Sequence, residues 1–250
     1  MQIYFDNTSL MTAPYSVRTI DHDSLSPREI TAFNLARQRG GVLVDSEYKS
    51  KTIKVTGIIT GNNSANLENN IDAFKELLSR QGKNLDIDYA GTVRRYEATA
   101  TKVDIPRESY HLTFAPFSVE FFVPSGIGKA TIIDAVSLSA ISATPYVGLL
   151  SIGGTANTFP KITITFTAVS GATKVDLLAN GDKISISKSF SVNDVLVIDC
   201  ENMQVTVNGT VFDYVGIFPT FGVGANIYEI DVTATSFVYD VVFNFYKMFI

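Results

Sequence analysis

Cysteine, histidine and tryptophan are nearly missing from this chain of 250 residues, which holds one Cys, two His and no Trp. With Cys200 as the sole thiol, an intrachain disulfide and a cysteine-based zinc cluster are excluded, and folding in a reducing cytoplasm is expected. His22 and His111 show no H-E-x-x-H or comparable ligand spacing, so they read as a loop and a strand histidine. Sugar-binding sites often stack a ring on tryptophan; here tyrosine, of which there are 11, could substitute. The sugar-binding galectin pattern, His-x-Asn followed by Arg, is also missing. No apolar run reaches the roughly eighteen residues of a membrane-spanning helix. The start, MQIYFDNTSL, has neither a basic nor an apolar segment of the secretory kind, so no signal peptide is expected.

Catalytic signatures are equally scarce. There is no G-x-S-x-G elbow, no Walker loop and no strand–G-x-G-x-x-G–helix unit. Gly222-Val223-Gly224 is followed by no helical pattern and reads as a turn. Carboxylates are plentiful, but nothing selects a pair for glycoside hydrolysis; Asp86 and Asp88 read as the wet face of a strand. Arg94-Arg95 and Arg37 with Arg39 are surface charges able to meet acidic partners. No catalytic, cofactor-binding or metal-ligating residue is therefore assigned, no cofactor is expected, and the chain does not read as an enzyme.

What the chain does have is apolar material in short, alternating runs. Hydrophobic residues make up 46% of it and charged residues 18%, enough to bury real cores. The formal net charge is −5, which leaves no general basic field for nucleic-acid phosphates. Residues 1–125 hold 14 Lys/Arg and 15 Asp/Glu, residues 126–250 hold 6 and 10, and no arginine follows Arg107. Two compositional regimes favour two domains: 1–125 mixed α and β, 126–145 a small-residue transition, and 146–250 a β-sandwich.

Residues 194–230, DVLVIDCENMQVTVNGTVFDYVGIFPTFGVGANIYEI, are the richest stretch. Asn208-Gly209 suits a two-residue hairpin whose central residues both take positive φ. Folding there sets Val207 against Thr210, Val205 against Phe212 and Met203 against Tyr214. Asn180-Gly181 makes a second hairpin, pairing Leu177 with Ile184 and Val175 with Ile186. Ile162, Ile164 and Phe166 alternate with threonines, and Phe237, Tyr239, Val241, Phe243 and Phe245 share one side of a final strand. In the N-terminal half, residues 52–60 read as a strand. Leu67, Ile71, Phe74 and Leu78 then form the stripe of a helix, capped by Asn63 or Ser64, with Gly82 as its left-handed stop. Leu85, Ile87 and Tyr89 mark one further strand and residues 95–103 another. Tyr110, Leu112 and Phe114 fall on even positions and Phe117, Val119, Phe121 and Val123 on odd ones, so a change of phase is expected at Pro116.

Two of these segments resemble the distal tail proteins of long-tailed bacteriophages. One is RQRGGVLVDSEYKSKTIKVTGIITGNNSANLENNIDAFKELL (residues 37–78): a strand after a basic-Gly turn, a strand ending in G-x-I-x-G, then a helix. The other is NDVLVIDCENMQVTVNG with the later FPTFGVGANIYEI. The resemblance implies a mainly β fold with some α, an α+β ring (belt) domain followed by a galectin-like antiparallel β-sandwich. It implies a homohexameric ring between tail tube and tail tip, contacting the tail tube protein, the tail hub and receptor-binding proteins, with no sequence-specific nucleic-acid binding and no membrane insertion. It places the protein in the virion after synthesis in the host cytoplasm, and it carries no catalytic residues. Members that bind host polysaccharide often hold an extra carbohydrate-binding insertion, for which this chain has no room. A carbohydrate-binding adhesin and a tail-associated hydrolase stay open as alternatives.

Overall fold

The computed structural model describes residues 1–34, 41–108 and 112–250, and for 32–34 and 41–47 the backbone alone. Among them are twenty strands and one helix, and every pair of neighbouring strands with a defined register is antiparallel, so the fold is mainly β with some α. The chain divides into two compact units, residues 1–131 with 249–250, and residues 132–248.

The first unit contains β1 (Gln2–Phe5), β2 (Thr8–Ser9), β3 (Tyr15–Asp21), β4 (Arg28–Asn34), β5 (Gly41–Tyr48), β6 (Lys51–Thr60), α1 (Ser64–Leu78), β7 (Lys83–Tyr89), β8 (Thr92–Asp104), β9 (Phe114–Val123) and the start of β10 (Gly128–Ile141). Hydrogen bonding links them in the order β3–β6–β9–β8–β7–β1–β2, while among the described residues β4 and β5 pair with each other alone. Along β6 the odd positions face inward, burying Ile53, Val55 and Ile59. Gly57 occupies an inward position too, and a Cβ there would lie 2.6 Å from the Phe117 ring. Its lack of a side chain lets Phe117 reach Phe74 of α1, ring centroids 4.7 Å apart, and Phe74 also packs on Tyr15 at 5.0 Å. The predicted helix stripe is buried in full, with Leu77 added to it.

Asn63 caps α1 by accepting the Asn66 N–H at 2.8 Å. The C-terminus differs from expectation. Ser79 ends the helix in right-handed geometry; its N–H bonds Lys75 O and its hydroxyl donates to Glu76 O at 2.7 Å. Those bonds satisfy the last carbonyls without a left-handed residue. Gly82, at φ +58°, instead turns the chain into β7. Pro116 also departs from the predicted break. Ala115 is buried along with Phe117, Val119, Phe121 and Val123, so one inward phase runs through β9, and the β6–β9 register is unbroken at Ile58↔Pro116. Pro116 lies beyond the last β8–β9 pair, Asp104↔Ser118, where a missing N–H costs no bond to β8. Phe114 and Leu112 are exposed because they belong to the outward phase and the preceding turn. Tyr110 falls outside the described residues. Tyr89 ends β7 at the turn and is exposed, unlike Leu85 and Ile87.

The second unit takes the rest of β10 and β11 (Tyr146–Ile152), β12 (Lys161–Ser170), β13 (Ala172–Ala179), β14 (Asp182–Phe190), β15 (Val195–Asp199), β16 (Gln204–Val207), β17 (Thr210–Val211), β18 (Val215–Gly216), β19 (Gly224–Thr233) and β20 (Ser236–Phe249). One sheet runs β11–β19–β13–β14–β18; the other runs β17–β16–β15–β12–β20–β10. Inward side chains of both meet in a single core, with Tyr228 of β19 on Phe243 of β20 at 4.7 Å and Phe166 of β12 on Phe190 of β14 at 4.9 Å. This is an antiparallel sandwich.

Both predicted hairpins are present with their registers, Val207↔Thr210, Leu177↔Ile184 and Val175↔Ile186. Phe212 N–H bonds Val205 O at 2.9 Å. The outer rung differs: Met203 sits in the turn at φ +51° and is exposed, because the polar turn after β15 extends through it. The small-residue stretch at 126–145 is mostly strand β10, and the division between the units falls inside it. Serines and alanines there alternate with Val136 and Leu138, which pack against the sandwich core.

Candidate interaction surfaces

Each described residue considered as a site has a structural employment. His22 follows β3 in a loop but is almost fully buried, and its carbonyl accepts the Nζ of Lys51 at 2.5 Å. Lys51 is equally buried, at an inward position of β6; the odd-numbered phase of Ile53 and Val55 was the signal for it in the sequence. Burial lowers the His22 pKa, against the pull of Asp23, whose carboxylate lies 3.3 Å from Nε2. Burial lowers that of Lys51 as well. The same loop is pinned by the Ser26 hydroxyl, which donates to Gly126 O, so the cluster holds a chain reversal. His111 lies outside the described residues.

Several carboxylates are paired within their own units. Arg95 grips Asp86 with two 2.7 Å bonds, and Asp88 accepts the Gly91 N–H of its turn at 3.0 Å. Arg94 approaches Asp23 at 3.6 Å, and Arg80 bonds Asp6 at 2.7 Å and lowers its pKa. Arg37 and Arg39 lie outside the described residues. Asp176 sits between Lys183 at 2.8 Å and Lys174 at 2.9 Å; burial raises its pKa, but the two lysines outweigh that and hold it low. Asp194 accepts from Lys188, the Ser191 N–H and the Asn208 amide, at 2.7, 2.9 and 2.8 Å, and its pKa is lowered to about 2 by these bonds, Lys188 first. A general acid needs the opposite shift. Burial pushes the Cys200 thiol up to about 12, which suits a core residue and not a nucleophile. Among the described residues no group of three His, Cys, Asp or Glu side chains is placed to hold a metal ion.

Gly222 and Gly224 form a turn leading into β19, and its geometry depends on Asn226, a residue that strand alternation alone does not single out. The buried Asn226 side chain accepts the Gly222 N–H at 2.8 Å and donates to Gly222 O at 2.7 Å and Gly224 O at 3.0 Å. Beyond these framework contacts, the second unit carries an exposed aliphatic cluster. Val147, Leu149 and Ile227 stand exposed on the outer face of the five-stranded sheet, and Val215 and Ile217 stand at its β18 edge. Exposed aliphatic clusters of this kind mark contact surfaces more often than chemistry. Among the described residues, no helix is long and apolar enough to cross a membrane.

Two family models match the chain: "Phage tail protein RIFT-related domain" over residues 12–123 and "Siphovirus-type tail component, C-terminal domain" over residues 153–243. No curated protein matches the sequence. Among solved structures, the Dit protein (gp 19.1) of phage SPP1 is similar over 100% of this chain and 99% of its own, with a TM-score of 0.73 and 16% identity. A chain of the phage P2 baseplate in its activated conformation with Ca covers 98% and 97%, at a TM-score of 0.44 and 10% identity. The two family models fall one in each compact unit and together span most of the sequence, and on that ground the chain belongs to the siphovirus-type tail component family, as a distal tail protein of the phage virion.

Proposed function

We propose that this protein forms a homohexameric ring joining the tail tube to the tip hub and adhesion apparatus, with no catalytic activity of its own. The observation that carries the reading is the order of two tail-family domains in one chain, each coinciding with a compact unit. The fold likeness to the SPP1 protein, described as a paradigm of the hub adsorption apparatus in phages infecting Gram-positive bacteria, supports it. Carboxylates held as anions by neighbouring cations, a buried thiol and a matched framework of ion pairs agree with a scaffold role. On this reading residues 1–125 build most of the ring, and 146–250 form an outward galectin-like sandwich dispensable for closure. The tail tube protein, the hub and receptor-binding proteins are its neighbours, and the host cytoplasm is where the chain is made. The net charge of −5 is compatible with a channel through which DNA passes without sticking.

Mass photometry and negative-stain imaging of the purified full chain test this. The expected result is a particle of six times the 27.3 kDa chain with six-fold class averages. A monomer at micromolar concentration, or a ring of another order, sinks the reading. If residues 1–131 alone stay monomeric while the full chain closes rings, the main interface belongs to the sandwich.

A further inference from the structure

Register maps the outer face of the five-stranded sheet. The inward positions are Leu150 and Ile152 on β11, Tyr228 and Ile230 on β19, and Leu177 on β13, all buried. The outward neighbours then align across the strands. One row reads Val147, Glu229, Leu178 and Lys183, since Val147 pairs with Glu229, Glu229 with Leu178, and Leu178 with Lys183. The next holds Leu149 beside Ile227. Glu229 therefore stands among aliphatic side chains, three of which, Val147, Leu149 and Ile227, are exposed at 58%, 64% and 65%. A shallow groove of about 240 Å³ opens here, with Leu178, Ile227 and Glu229 in its walls.

Such a carboxylate is poorly served by its own chain. Lys183, the cation in its row, makes its ion pair with Asp176 at 2.8 Å and reaches Glu229 only as a longer-range charge, and among the described residues no cation lies within ion-pairing distance of Glu229. The second unit carries ten carboxylates against five lysines and no arginine, so its surface attracts cations rather than another acidic face. β11 is the edge strand, and its sequence YVGLLSI has no charge and no proline to discourage a further strand. No aromatic ring points outward in these two rows for a sugar to stack on.

We propose that this face is a docking site for another protein, which lays an extended segment along it and presents an arginine to Glu229, with apolar side chains on Val147, Leu149 and Ile227. Arginine fits because its guanidinium bonds a carboxylate bidentately and desolvates more readily than an ammonium. The aliphatic surround excludes water from the pair, as the centre of a protein interface does. Ring closure is not required for this contact, so failure of one leaves the other standing.

The test uses methyl-labelled full-length protein and the pentapeptide Ac-Thr-Val-Arg-Val-Thr-NH2, with Ac-Thr-Val-Glu-Val-Thr-NH2 as its counterpart. The arginine peptide at millimolar concentration is expected to shift the methyl resonances of Val147, Leu149, Leu178 and Ile227, and the glutamate peptide to leave them unmoved. Glu229→Gln should weaken binding by about tenfold, the loss expected for one charge-assisted pair. Leu149→Ser, which keeps the carboxylate, should weaken it as well, and unchanged core methyls in both variants verify the fold. No shift with the arginine peptide, equal shifts with both peptides, or unaltered binding by Glu229→Gln overturns the proposal. Methyl shifts that follow protein concentration without peptide assign the face to a second copy of this chain and overturn it too.

Discussion

The Asn180 side-chain amide donates to Asn226 Oδ1 at 2.9 Å across 46 residues of sequence, and the same amide donates to Thr220 O at 2.8 Å. Asn180 is also the first residue of the β13–β14 hairpin turn, at φ +53°. One residue thus sets a local turn and anchors a distant loop, while Asn226 closes that loop on itself through Gly222 and Gly224. The 220–226 segment is held in place by carboxamides and backbone, without a disulfide.

Asn226→Ala should destabilise the second unit by about 2–3 kcal/mol, since it removes several buried bonds and leaves backbone groups of the loop unsatisfied. Denaturant melts read the change. A loss under about 0.5 kcal/mol means that water replaces the amide and the loop is not pinned.

Phe74→Ala should cost about 3–5 kcal/mol, because it empties the site between Tyr15 and Phe117 under α1. Its partner Gly57 supplies an independent check. Gly57→Ala should also destabilise, as the added methyl meets the Phe117 ring and the Ser16 carbonyl. A neutral Gly57→Ala shows that Phe117 can move aside.

Asp194 predicts an acid-labile step. Its folded pKa of about 2 lies below the 3.8 of an ordinary aspartate, so its contribution is complete above about pH 4 and is lost as pH falls toward 2. The amount at neutral pH is on the order of 2 kcal/mol. Thermal melts between pH 5 and 2 should fall less steeply for Asp194→Asn than for the native chain. Parallel curves would place the acid sensitivity in other carboxylates.

Residues 132–250 should fold alone as a sandwich, and 146–250 should be markedly less stable. The shorter fragment lacks β10, whose Ala140 N–H bonds the Asp240 carboxylate at 2.8 Å and whose Ile141 lies in the core. Circular-dichroism melts of the two fragments decide it. Equal midpoints would show that β10 adds nothing to the sandwich.

Features set by near neighbours were legible in the sequence. The helix stripe of Leu67, Ile71, Phe74 and Leu78, the positive-φ turns at Asn180-Gly181 and Asn208-Gly209, and the alternation of Ile162, Ile164 and Phe166 all follow from backbone preferences and a period of 3.6 or 2. Local rules misread three places. Gly82 lies beyond a helix end already satisfied by Ser79, Pro116 costs nothing on the side of β9 that β8 leaves free, and Met203 lies within its turn. At each, hydrogen-bond partners absent from the local pattern decided the outcome.

The family, too, was legible, because its domains follow one another in linear order. The surface was not. That β12 lies between β15 and β20, that Asn226 meets Asn180, and that Glu229 falls between Val147 and Leu178 depend on which strands become neighbours and in what register. Pairing between strands separated by tens of residues is set by burial of the whole core, so only the folded chain brings that carboxylate and those aliphatic side chains onto one face.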